Sequence, residues 1–140
     1  MTTRRQRGPA SATTAKAHFQ ATLGKVPAAV ETLARHAPAA LQGYLAFRAY
    51  VHEVPPQGSL DAATRELLFV ALDVVEGHVE AAKAHAEQAL KAGATVEAIA
   101  QALVIAMMVS GIHTWSMWGH EVVEHAAKVA ARAGRRGKRR

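Results

Sequence analysis

Between Leu60 and Ile112 apolar runs at helical spacing alternate with single glycines, and this punctuation constrains the fold more than any other feature of the chain. Leu67, Leu68, Val70, Ala71 and Val74 mark one helix, Ser59 or Asp61 supplies its N-cap, and Gly77 interrupts it, so a second helix begins near His78. The run Ala89-Leu90-Lys91-Ala92-Gly93-Ala94-Thr95 closes that second helix and opens a third, capped by Thr95 and carrying Ile99, Leu103, Ile105, Ala106 and Met108 as far as Gly111. The pattern predicts an antiparallel helical pair followed by a helix with apolar residues all round, which should be the buried one.

Three ionisable side chains fall on the pair. Glu66 lies 11 residues before Gly77 and His85 lies 8 after it. At about 1.5 Å per residue they sit roughly 16 and 12 Å from the turn, close enough in depth to face each other. His78 and His85 are seven apart. That places them on one face but about 10 Å apart along the axis, too far to ligate one metal without help from irregular backbone. Asp73 is seven after Glu66 and matches His78 in depth.

The remaining chain fits around this hairpin. With 140 residues, 50% of them hydrophobic, the composition allows one domain with a substantial core, and abundant alanine with only 5 prolines favours an all-α fold of about six helices. Met1 to Thr14 reads as a basic, disordered arm, and Lys16 to Leu23 as a short helix ended by Gly24. Ala28–Ala37 and Ala39–Val54 form helices on either side of Pro38, and Pro55, Pro56 and Gly58 form a loop. A last helix runs from about His113 to Ala133, so the helical domain spans 15–133 and 134–140 is a basic tail.

Several function classes are excluded at this level. There is no cysteine, which removes disulfides, thiolate chemistry and cysteine-ligated zinc. The longest apolar run, Ala102 to Ile112, is too short to span a bilayer, and Met1 to Lys16 lacks a signal-peptide core; a cytoplasmic protein with no membrane partner is expected. The net charge of +6 is concentrated at the ends, where 9 of the 17 basic residues lie. The body from Ser11 to Ala131 keeps 8 basic against 11 acidic residues. It lacks the basic residues interleaved with aromatics that a specific nucleic-acid surface needs.

Leu60-Asp61-Ala62-Ala63-Thr64-Arg65-Glu66-Leu67, then Gly77, His85, and Ala89 through Ile99 together resemble the core of the carboxymuconolactone decarboxylase and alkyl hydroperoxidase D superfamily. The resemblance implies an all-helical fold, trimers or hexamers, and a pocket built around the hairpin. Glu66 and His85 fall on a Glu and a His of the peroxidase branch, whose two cysteine positions are occupied here by His78 and Ala81, so thiol peroxidase activity is not expected. The decarboxylase branch, which lacks the cysteines and keeps a Glu and a His at comparable positions, is the nearer model.

Two chemistries fit the constellation. In one, Glu66 and His85 form a proton relay with His78 as a second acid or base, acting without a cofactor on a small carbonyl or carboxylate compound by lyase or isomerase chemistry. In the other, Glu66, His78 and His85, with or without His113 or His120 as a further ligand, bind one divalent metal: zinc, iron, nickel or copper. A third reading is a non-catalytic oligomer that binds a small ligand. His120 with Glu124 and Glu121 with His125 stand four apart and are expected to pair along the last helix. Trp115, Trp118, Met107 and Met108 exceed what one small domain easily covers, which favours a homo-oligomer.

Overall fold

The computed structural model describes residues 16–17, 19–20 and 26–137, with the Arg136 side chain excepted. All regular elements among them are helices, as the composition predicts. The described residues divide at Glu53/Val54 into two compact units, each described by itself. The basic arm and half of Lys16 to Leu23 lie outside the described residues.

The first unit contains α1 (Ala28–His36) and α2 (Pro38–Val51). Pro38 does not stand between the two helices but opens α2 at a first-turn position, where its missing N–H costs nothing. Phe19, Val30 and Leu41 form a small core. Tyr44 stacks on Phe19 at 6.4 Å, and the Arg48 guanidinium lies 5.3 Å from the Phe19 ring centre.

The second unit contains α3 (Ala62–Val75), α4 (Val79–Lys91), α5 (Val96–Ser110), the single turn α6 (Ile112–Thr114) and α7 (His120–Gly137). The local signals act as read. Asp61 caps α3 by accepting from the Thr64 N–H at 2.9 Å, and Thr95 caps α5 by accepting from the Ala98 N–H at 3.1 Å. Gly77 takes φ +77°, a conformation that L side chains resist, and so reverses the chain into α4.

Val70 and Val74 of α3 meet Ala82, Ala86 and Ala89 of α4, Ile99 and Leu103 of α5, and Val122 and Ala126 of α7 in one core. Burying each Val, Leu or Ile contributes roughly 1.5–3 kcal/mol. Two polar pairs join α4 to α7: Lys83 donates to Glu121, and His125 bonds Glu87 at 2.8 Å. Both pairs are 38 residues apart, and a constant separation means that the two helices run parallel.

Two expectations need correction. α5 is not buried: Ile99, Leu103 and Ala106 face the core, whereas Met108 and Val109 are 86% and 84% exposed and Val104 and Ile105 are also open. Its neighbours cover one face, and apolar content alone could not tell a surrounded helix from one with an uncovered apolar side. The last helix does not run smoothly from His113 either. A wide π-type turn at Trp115–Gly119 interrupts it and turns Trp115 and Trp118 onto the core, so the chain itself half-covers both rings. Beyond this turn α7 continues past Ala133 to Gly137, four residues into the segment expected as a tail.

Candidate active site

Glu66 lies one turn into α3 beyond the Asp61 cap, and His85 lies mid-way along α4, where the hairpin reversal at Gly77 turns the two helices face to face. Glu66 Oε2 and His85 Nδ1 are 2.6 Å apart. The second carboxylate oxygen accepts from Arg65, at 3.2 Å from Nε and 3.0 Å from Nη2. Glu66 is only 4% exposed. Burial alone would push its carboxyl up, but the hydrogen bonds from His85 and Arg65 outweigh burial and hold it below its ordinary value of 4.5. Glu66 is therefore a carboxylate at neutral pH and accepts the Nδ1–H of His85. In the neutral ring this leaves Nε2 with its lone pair.

Phe69, one turn after Glu66, stacks on His85 with ring centres 4.4 Å apart and planes 15° apart, which fixes the plane of the imidazole. Asp73, two turns after Glu66 on the same helix, brings Oδ2 to 3.9 Å from His85 Nε2 and Oδ1 to 3.7 Å from His78 Nδ1. Neither separation is a hydrogen bond. Between α3 and α5 lies an open apolar groove of about 280 Å³, lined by Thr64, Leu67, Leu68, Ala71, Ala98 and Ile105 among others; neither Glu66 nor His85 lines it.

The model of the carboxymuconolactone decarboxylase family matches residues 38–132, well over half of the chain and the whole of this hairpin. The chain belongs to the carboxymuconolactone decarboxylase family. Among solved structures, a candidate carboxymuconolactone decarboxylase from Burkholderia xenovorans LB400 superposes with a TM-score of 0.76 at 22% identity, covering 89% of this chain and 94% of that one. At that identity the likeness is one of fold. No curated protein matches the sequence significantly.

Of the residues singled out in this carboxymuconolactone decarboxylase family member, the structure brings Glu66 and His85 together and leaves His78 at the surface. The His78 side chain is 64% exposed at the N-cap of α4. His113 and His120 are exposed as well. Among the described residues no group of three or more His, Asp or Glu side chains is placed to hold a metal ion. The ligand set of Glu66 and His78 with His85 is thus not gathered at one point, because seven residues of regular helix keep the two imidazoles apart. Glu121 and His125 do not pair with each other but reach across to Lys83 and Glu87 of α4. Among the described residues no helix is long and apolar enough to cross a membrane.

Arg65 and Phe69 were not legible as site residues. Their signal was proximity: both lie within one helical turn of Glu66. Which neighbours of a buried carboxylate curl back onto it depends on what covers the helix, and a one-dimensional pattern does not carry that.

Proposed function

We propose that this family member carries out acid/base lyase or isomerase chemistry on a small carbonyl or carboxylate compound in the cytoplasm, with His85 as the base and Glu66 as the group that orients it. The observation that carries the reading is the 2.6 Å bond between His85 Nδ1 and a carboxylate that is almost wholly buried. A buried carboxylate on Nδ1 sets the tautomer and leaves Nε2 to take a proton from a carbon next to a carbonyl or from a departing acid. Arg65 keeps the carboxylate charged, and Phe69 keeps the ring from turning. The proposed reaction uses no thiol, since the chain has no cysteine, and draws on His85 and Glu66 alone.

The test uses 4-carboxymuconolactone and a set of small keto acids in D2O, followed by proton NMR for product or for exchange of the carbon-bound proton. Turnover or exchange by the wild type that disappears in His85→Ala supports the reading. Equal rates in both proteins would refute it. The apolar groove between α3 and α5 favours a second reading, a non-catalytic binder of a small apolar ligand. That reading gains if no probe turns over while an apolar dye binds and is lost on Ala71→Trp.

The partner proposed is a further copy of the same chain, in a trimer or hexamer, with the open apolar side of α5 as the contact. Met108 and Val109 are among the most exposed apolar residues described. Light scattering should give a mass well above the 14.9 kDa of one chain, and Met108→Glu with Val109→Glu should lower it.

A further inference from the structure

Asp73 carries a feature that the Glu66–His85 pair does not explain. Its Oδ2 is shielded from solvent and has no hydrogen-bond partner among the described residues. A charged acceptor left in that state is costly, and such groups call for a physical reason. The reason lies in the state of His85. While Glu66 holds the Nδ1–H, Nε2 presents a lone pair, and a lone pair and a carboxylate oxygen have no proton to share. The 3.9 Å between them fits that state. Once Nε2 gains a proton, the acceptor becomes a donor facing a waiting carboxylate. Closure by about 1 Å then makes a charge-assisted hydrogen bond.

The other oxygen of Asp73 faces outward. Oδ1 is 3.7 Å from Nδ1 of His78, whose side chain is 64% exposed. The order Glu66, His85, Asp73, His78 therefore runs from a buried carboxylate to a ring in water, with Arg65 closing the buried end.

We propose that Asp73 is a positioning residue that stabilises the His85 imidazolium and passes its proton through His78 to solvent. The proton on His85 Nε2 moves to Asp73 Oδ2, and rotation of the carboxyl group presents it to the lone pair of His78 Nδ1. His78 then releases its Nε2 proton to water and, being exposed, returns to its starting tautomer by proton exchange with solvent. One proton leaves, no electrons move, His85 returns to the neutral ring and Asp73 to the carboxylate. The path rests on His85 being the base of the proposed reaction, but it is read without any substrate.

The experiment follows exchange of the His85 Nε2 proton with water, by saturation transfer on the full-length protein labelled with ¹⁵N-histidine, between about pH 5 and 8. Asp73→Asn keeps the shape of the side chain but cannot carry a proton. It should slow exchange by about 100-fold, the lower end of what a positioned proton-transfer group contributes. Asp73→Glu should restore much of the rate, which a purely structural role would not predict. His78→Ala changes an exposed side chain that caps nothing, so it keeps the test open if Asp73→Asn fails to fold; it should slow exchange as well. Unchanged exchange in Asp73→Asn and His78→Ala overturns the path. Slowed exchange beside substrate turnover that survives His85→Ala leaves the path standing and removes the proposed reaction instead.

Discussion

α4 makes polar contacts on two sides, and they differ in kind. Toward α3 it sets His85 against a carboxylate that is buried, doubly bonded on its other oxygen and backed by a stacked phenyl ring. Toward α7 it sets His125 against the Glu87 carboxylate and Lys83 against that of Glu121, and here the carboxylates keep their access to water, with side chains 38% and 51% exposed. The Glu66–His85 and Glu87–His125 pairs share one chemistry; what differs is how far the carboxylate is taken out of water. A carboxylate–imidazole pair out of water has one tautomer and a fixed geometry, and leaving one member alone is expensive. The same pair at the surface is screened and exchanges its bonds with water at little cost. Burial, not residue identity, separates a candidate reactive pair from a helix clip.

The contrast can be broken most directly by activity. His85→Ala should lower turnover of a probe that the wild type processes by about 10²- to 10⁴-fold, and Glu66→Gln should come close to it because the tautomer is no longer imposed. His125→Ala, which removes the superficially similar pair with Glu87, should leave the rate near wild type. Equal losses at His85 and His125 would mean that burial of the carboxylate does not set the two pairs apart.

Stability should follow the same order on a smaller scale. Glu66→Ala leaves Arg65 and His85 without their shared acceptor and should cost about 3–5 kcal/mol in urea unfolding. Glu87→Ala should cost no more than about 1 kcal/mol. The effect of acid sharpens the comparison. Because the folded-state value of Glu66 is held below 4.5, its contribution is present in full above that value and is lost as the pH falls through the lower, folded-state one. The acid limb of the unfolding curve should therefore flatten in Glu66→Gln and persist in Glu87→Gln.

Smallest is the effect of Lys83→Met. Its partners Glu121 and then Glu80 raise the Lys83 value, and Lys83 in turn holds Glu121 low, yet both carboxylates stand in solvent. The urea midpoint should barely move, and added salt should abolish what difference there is. A large, salt-resistant loss would show that the α4–α7 contact is drier than its exposure indicates.

Local signals were legible from residues alone because they act over a single turn of backbone. Asp61 and Thr95 cap with their own side chains, and the reversal at Gly77 needs a positive φ that glycine adopts without strain, so the helix boundaries and the antiparallel hairpin follow from sequence. Residue counting from that reversal also set Glu66 and His85 at similar depth, since helical rise is constant. Depth, however, is only one coordinate. Whether Asp73 lies near His85, whether His78 turns outward, and whether Arg65 and Phe69 wrap the pair depend on rotation about the helix axes and on what packs behind them. The same holds for α5, whose apolar circumference fits a buried helix and a one-sided one equally well, and for the π-type turn at Trp115–Gly119, which directs two tryptophans onto the core. Sequence determined the elements and their order through short-range backbone preferences; tertiary packing decided which faces meet, because only the assembled helices determine which surfaces lose their water.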